Sequence, residues 1–285
     1  RSSAASDAYK RQFPGYSDPI KWLDEFFELV PLSDIDGISV HCYMDSPSAL
    51  KGFIEKFKKY KKPIWLTEFC AWPDKERPIS IVQQMNYMSE TLNYLESEPY
   101  IERYSWFTPR DNGPYTDETK TEFANALVTE ASKANKTYEL SELGIVYVNM
   151  STLDKTVYYT KDRQIPAGQY CAVSGNLHLR PSTDSDGSIL EICDFTRDHW
   201  VEYQLNIPQE GDYKLELRYS TYMNSQAELT IDGENSTTFS LPNTDEAWST
   251  LSTSIRLKKD KQTLRFKIAS GNIALNWLRL SNESN

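Results

Sequence analysis

The chain has 285 residues, which allows two ordinary domains or one large domain and a small one. Hydrophobic residues make up 39% and charged residues 25%, which excludes a disordered chain, and no run approaches the roughly 20 apolar residues of a membrane span. A net charge of -10 argues against nucleic acid or anionic lipid as the main partner, while 13% aromatics suit stacking on flat neutral ligands such as sugars, or simply a large core.

From residue 18 onward, helical and extended runs alternate. Asp18 can cap a helix with Pro19 at its first position, and Ile20, Leu23, Phe26, Phe27 and Val30 recur at helical spacing, so Pro19 to Val30 reads as a helix. Asp36 to Tyr43 reads as a strand, Ser48 to Tyr60 as a helix and Pro63 to Phe69 as a strand. Pro78 to Leu95 is expected to be a long helix, Tyr104 to Thr108 a strand and Glu118 to Ser132 a last helix. Strands separated by helices imply parallel pairing, hence an α/β region.

After residue 155 the text changes to short alternating runs: Trp200 to Leu205, Asp212 to Tyr219, Ala227 to Ile231, Leu251 to Leu257, Gln262 to Ile268 and Ile273 to Leu280. Turn residues separate them, as in Asp232-Gly233 and Gly271-Asn272, and the pattern predicts a β-sandwich. The expected division is therefore 1–154 and 155–285.

In a parallel barrel, chemistry sits at the carboxyl ends of strands. The three visible ends are Val40-His41-Cys42-Tyr43, Leu66-Thr67-Glu68-Phe69 and Tyr104-Ser105-Trp106-Phe107. Alternation places Ile64, Leu66 and Glu68 on one face, so an inward-facing Glu68 needs a partner or a role. One account is a structural glutamate bonded to His41 or Tyr43. The other is a nucleophile or acid/base acting on a sugar, flanked by Trp106 as a stacking platform. No cofactor is expected. Three His give little basis for a metal site, and Cys42, Cys70, Cys171 and Cys193 lack any C-x-x-C spacing. Cys171 and Cys193 could form one disulfide or remain buried thiols.

The runs Asp34-Ile-Asp-Gly-Ile-Ser-Val-His-Cys-Tyr43, Lys62-Pro-Ile-Trp-Leu-Thr-Glu-Phe69, Arg103-Tyr-Ser-Trp-Phe107 and Leu140-Ser-Glu-Leu-Gly-Ile-Val-Tyr147 resemble glycoside hydrolase family 128. The resemblance implies a retaining endo-β-1,3-glucanase on a (β/α)8 TIM barrel, of which residues 1–154 would supply strands six to eight. It implies Glu68 as nucleophile, Tyr43 and His41 as its orienting neighbours, and Tyr104, Trp106 and Trp72 as substrate-binding aromatics. The acid/base of that architecture follows an Asn on strand four, and no such Asn-Glu run precedes residue 34, so it is expected upstream of Arg1. The 285 residues alone are expected to be inactive.

Ile165-Pro-Ala-Gly-Gln-Tyr170, Trp200-Val-Glu-Tyr-Gln-Leu-Asn206, Gly211-Asp-Tyr-Lys-Leu-Glu-Leu-Arg218, Trp248 and Leu275-Asn-Trp-Leu278 together resemble a family 6 carbohydrate-binding module, a jelly-roll sandwich. At the loop-end sugar site of that family, this sequence has Ile192 or Asp194, Leu251 and Ala274 where stacking aromatics and an Asn are usual. That leaves a structural role, or a second site through Trp200 and Glu202. The whole reading is a secreted or cell-surface monomer acting on a β-glucan polysaccharide or oligosaccharide. The alternatives are a non-catalytic glycan-binding protein and a related barrel glycosidase acting on another β-glucan or a mannan.

Overall fold

A computed structural model describes residues 18–72, 79–110 and 124–283. The chain divides into two compact units, residues 1–139 and 140–285. This division falls earlier than the boundary expected after residue 154, because helix α5 (Glu142–Asn149) packs on strands of the second unit.

The first unit is a mixed helix and sheet structure. Helix α1 spans Pro19–Leu29, strand β1 Ile38–Cys42, helix α2 Pro47–Glu55, strand β2 Ile64–Phe69, helix α3 Ile81–Ser97, strand β3 Ile101–Trp106 and helix α4 Glu130–Asn135. Side-chain caps start these helices. The Asp18 carboxylate accepts from the Ile20 amide at 2.9 Å, Ser46 accepts from Ala49 at 3.3 Å, and Ser80 and Gln83 form a reciprocal capping box on α3. The three strands pair in parallel in the order β1-β2-β3.

One sheet face is apolar and covered. Ile38, Val40, Cys42, Ile64, Leu66 and Phe69 are all buried on it, as are Leu50, Phe53 and Ile54 of α2. The opposite face carries Ser39, Trp65, Arg103 and Ser105, none of them buried. Apolar residues on one face and polar residues on the other are what period-two alternation dictates.

The expected helix from Glu118 to Ser132 is corrected. Residues 118–123 lie outside the described residues, and 124–129 are not helical; the helix begins only after Thr129, whose hydroxyl caps it by accepting from the Ser132 amide. The Asn125 backbone and side chain are spent on β3 instead. Its carbonyl accepts from Trp106 Nε1 at 2.8 Å, and its Nδ2 donates to the Phe107 carbonyl at 2.7 Å. Those tertiary bonds replace the helical ladder.

The second unit is a β-sandwich. Its strands are β4 (Gln164–Pro166), β5 (Ala172–Ser174), β6 (His178–Pro181), β7 (Leu190–Thr196), β8 (Trp200–Ile207), β9 (Gly211–Ser220), β10 (Ser225–Ile231), β11 (Glu234–Leu241), β12 (Ser249–Leu257), β13 (Asp260–Ser270) and β14 (Asn272–Asn282). One sheet runs β11-β10-β13-β8-β5 and the other β12-β9-β14-β7-β6, with β4 on β14. Val201, Tyr203, Leu205 and Ile207 are buried while the residues between them are not, so β8 turns alternate side chains into the core. Phe195 and Phe266, one from each sheet, meet at 5.8 Å between ring centroids. All four cysteines are free and buried, which resolves the Cys171–Cys193 alternative in favour of thiols.

Candidate active site

The site is built at the carboxyl ends of β1, β2 and β3. Along β1 and β2 the pairing is regular from Ile38 with Ile64 to Val40 with Leu66, and then shifts, so that His41 pairs with Glu68. One extra residue, Thr67, is accommodated in β2, and its hydroxyl donates to the Val40 carbonyl at 3.2 Å. The partner strand β3 records the same insertion, pairing Tyr104 with Leu66 and Trp106 with Phe69. A bulge of this kind re-aims the side chain that follows it. Leu66 and Phe69 therefore share the covered face, and Glu68 lies beside His41 on the other. The expected common face for Leu66 and Glu68 is corrected.

Two groups converge on one oxygen of Glu68. The Tyr43 hydroxyl donates to Oε2, and His41 Nδ1 lies 3.2 Å from the same atom. His41 is 4% exposed and the Glu68 side chain 20%, so the carboxylate is reachable while its histidine neighbour is enclosed. Two hydrogen-bonding groups on one carboxylate oxygen lock its orientation.

Aromatic rings wall this cluster. The Tyr43 ring is edge-on to Trp72 at 4.9 Å and to Phe107 at 5.5 Å, and Trp72 and Phe107 are 6.2 Å apart. Phe107 is the residue that sequence reasoning missed. Its amide donates to the Phe69 carbonyl at 3.0 Å and its carbonyl accepts from Asn125, so two neighbouring segments hold the ring where it meets Tyr43. The signal was its place one residue beyond Trp106, on the opposite face.

Trp106 and Tyr104 are corrected. Trp106 is 3% exposed and packs at 5.3 Å against Phe69 and at 6.2 Å against Tyr87 of α3. Tyr104 donates its hydroxyl to Glu96 of α3. Both point to the helix-covered face, because Tyr104 and Trp106 are two residues apart on β3, beyond its own register shift at Glu102, and pair with the covered Leu66 and Phe69 of β2. Neither ring can stack on a ligand beside Glu68. Cys42 and Cys70 lie on the same buried side; burial pushes the Cys42 thiol up to about 11 and the Cys70 thiol higher still, so neither is a nucleophile at neutral pH.

In the sandwich, Trp200 and Glu202 share the outer face of β8, but Arg265 occupies both. Its guanidinium lies 4.0 Å from the Trp200 ring centroid and donates to Glu202 at 2.8 and 2.6 Å. At the loop-end positions Ile192 is fully buried, and Asp194 lies 3.2 Å from His178 and accepts from Arg180 at 3.3 Å. Among the described residues no group of three or more His, Cys, Asp or Glu is arranged to hold a metal ion. No helix among them is long and apolar enough to cross a membrane.

The carboxylate-centred strand ends can be set against known proteins. The glycosyl hydrolase catalytic core model matches residues 4–147. The chain belongs to the glycosyl hydrolase catalytic core family. Within this glycosyl hydrolase chain a second model, carbohydrate binding module family 35, matches residues 173–280, so the module carries a family 35 match beside its sequence resemblance to family 6. Alkali-sensitive linkage protein 1 of Schizosaccharomyces pombe (strain 972 / ATCC 24843) is 32% identical over 130 residues, 45% of this chain and 22% of its own length. The chain thus spans about a fifth of that curated relative.

Solved structures similar to the glycosyl hydrolase chain cover its sandwich. The C-terminal family 6 module of LamC, a marine laminarinase from Zobellia galactanivorans, is 22% identical with a TM-score of 0.39, covering 42% of this chain and 98% of that one. A family 6 module of Cellvibrio mixtus lichenase 5A in complex with cellotriose is 24% identical with a TM-score of 0.39, covering 43% and 98% respectively.

Proposed function

We propose that this chain carries the nucleophile of a retaining glycoside hydrolase of the endo-β-1,3-glucanase type. The observation that carries the reading is the convergence of the Tyr43 hydroxyl and His41 Nδ1 on Glu68 Oε2 at the carboxyl ends of parallel strands. Glu68 attacks the anomeric carbon, forming a carbon–oxygen bond as the glycosidic bond breaks, and water later releases the sugar from the enzyme. The leaving oxygen takes its proton from a second carboxylate about 5 Å from the first in such enzymes. That acid is assigned to a barrel strand other than the three described here, which would be strands six to eight of a (β/α)8 barrel. Tyr43 and His41 orient the nucleophile, and Trp72 with Phe107 offers an aromatic wall for a pyranose face.

Family membership supports glycoside hydrolysis in general, and the resemblance of the Trp-Leu-Thr-Glu-Phe and Tyr-Ser-Trp-Phe strands to family 128 supports the β-1,3-glucan substrate. The sandwich has either a structural role or a second glycan site through Trp200 and Glu202, and the cover of that pair by Arg265 favours the structural role. A secreted or cell-surface location is part of the same proposal, and a polysaccharide substrate supports it.

Reducing ends released from laminarin by the intact protein and by its Glu68→Gln variant test this. Loss of release in the variant supports the assignment. Equal release removes Glu68 from the mechanism, and release from neither favours a glycan-binding protein that does no chemistry. A panel of other β-glucans and mannans distinguishes the related glycosidases.

A further inference from the structure

We infer that two buried side-chain amides, Gln84 of α3 and Asn125 of the segment after β3, are positioning residues for the aromatic wall beside Glu68, each holding the backbone that carries one of its rings. This rests on the reading that Trp72 and Phe107 receive a sugar.

Trp72 and Phe107 both stand beyond the last residues of their strands, Phe69 of β2 and Trp106 of β3, so the strands alone fix neither ring. Both are half-buried, and the Tyr43 ring, whose hydroxyl reaches Glu68, meets each of them. Gln84 Nε2 donates to the Ala71 carbonyl at 2.7 Å, and that carbonyl shares a planar peptide unit with the Trp72 amide nitrogen. Asn125 Nδ2 donates to the Phe107 carbonyl, also at 2.7 Å. The Phe107 amide is already bonded to the Phe69 carbonyl, so both backbone groups of Phe107 are tied.

The two amides are themselves held in place. Both residues are 0% exposed. Gln84 sits in the opening turn of α3, where its backbone amide donates to the carbonyl of the capping residue Ser80 at 2.9 Å, and the Asn125 carbonyl accepts from the Trp106 indole at 2.8 Å. Stability alone favours pairing every buried polar atom. Gln84 Oε1 has no hydrogen-bond partner among the described residues, so this side chain leaves one acceptor unpaired at a cost while its other end directs the Ala71 carbonyl. The return lies at the wall, because a ring ordered before binding loses little freedom when the sugar arrives.

Initial rates on laminarin with the intact protein test the inference through double-mutant cycles. Gln84→Met, similar in length and volume, removes the bond to Ala71 and the unpaired acceptor together. It is expected to keep the unfolding midpoint at or above that of the parent and to raise KM about fivefold, with a smaller change in kcat. In a Trp72→Ala background the same substitution is expected to add nothing, because the ring through which Gln84 acts is gone. Asn125→Ser is expected to give the same pattern against Phe107→Ala. A parent-like KM in Gln84→Met, or an effect undiminished in the Trp72→Ala background, overturns the inference and leaves the hydrolase reading standing. An Asn125→Ser protein that does not fold marks that residue as structural and overturns its part. A parent that releases no reducing ends from laminarin overturns the reading on which the inference rests.

Discussion

Leu66 and Glu68 stand two residues apart on one strand and face opposite sides of the sheet. The inserted Thr67 causes this, and its hydroxyl bond to the Val40 carbonyl ties the insertion to the neighbouring strand. Thr67→Val removes that bond at nearly constant volume. It is expected to cost about 1 kcal/mol of stability, read as a lower urea midpoint, with a loss of laminarin hydrolysis as Glu68 loses its fixed aim. An unchanged midpoint and rate would show that the bulge holds itself without the hydroxyl.

Tyr43 touches Glu68 through its hydroxyl and is held through its ring, so Tyr43→Phe separates the two contributions. The ring contacts with Trp72 and Phe107 survive, and the unfolding midpoint is expected to move little. Hydrolysis by the intact enzyme is expected to fall about 10- to 100-fold, the equivalent of one hydrogen bond to a charged group. Parent-like kcat would make the phenol a bystander.

Two tryptophans near the site are expected to respond differently. Trp106→Ala empties a buried site and breaks the bond to the Asn125 carbonyl, with an expected loss of about 3 to 5 kcal/mol by chemical unfolding. Trp72 is partly exposed, and Trp72→Ala is expected to raise KM for laminarin with a smaller effect on stability. A reversed pattern would return Trp106 to the role of substrate platform.

Two buried carboxylates in the sandwich carry opposite pH signatures. Asp184, 3% exposed at its side chain, accepts from Arg218 Nε at 2.6 Å, and that guanidinium holds its carboxyl below the usual range. The advantage of the native protein over Asp184→Asn is expected in full above about pH 4, the unfolded value, and to vanish as pH falls through the depressed folded value. For Glu191, burial pushes the carboxyl up despite bonds from Thr183. Glu191→Gln is therefore expected to match the parent in acid and to gain stability relative to it as pH rises above about 4.3. Thermal melts from pH 3 to 8 read both; gaps that do not change with pH would remove the ionisation argument.

What the amino-acid order determined by itself was local. Asp18 with Pro19, and Ser80 with Gln83, start helices through bonds to residues three positions away or fewer, and the alternation of Val201, Tyr203 and Leu205 turns β8 into the core whatever its neighbours. The nearness of His41, Tyr43 and Glu68 was readable too, because adjacent parallel strands bring their carboxyl ends together. Tertiary structure decided the rest. Alternation assigns a face only while pairing stays regular, and the Thr67 bulge is a property of the register between β2 and its two partners, so the side on which Glu68 stands lay beyond any pattern within its own strand. The same dependence buried Trp106, whose indole bonds to Asn125 nineteen residues later, and kept residues 124–129 out of the helix that their composition favours.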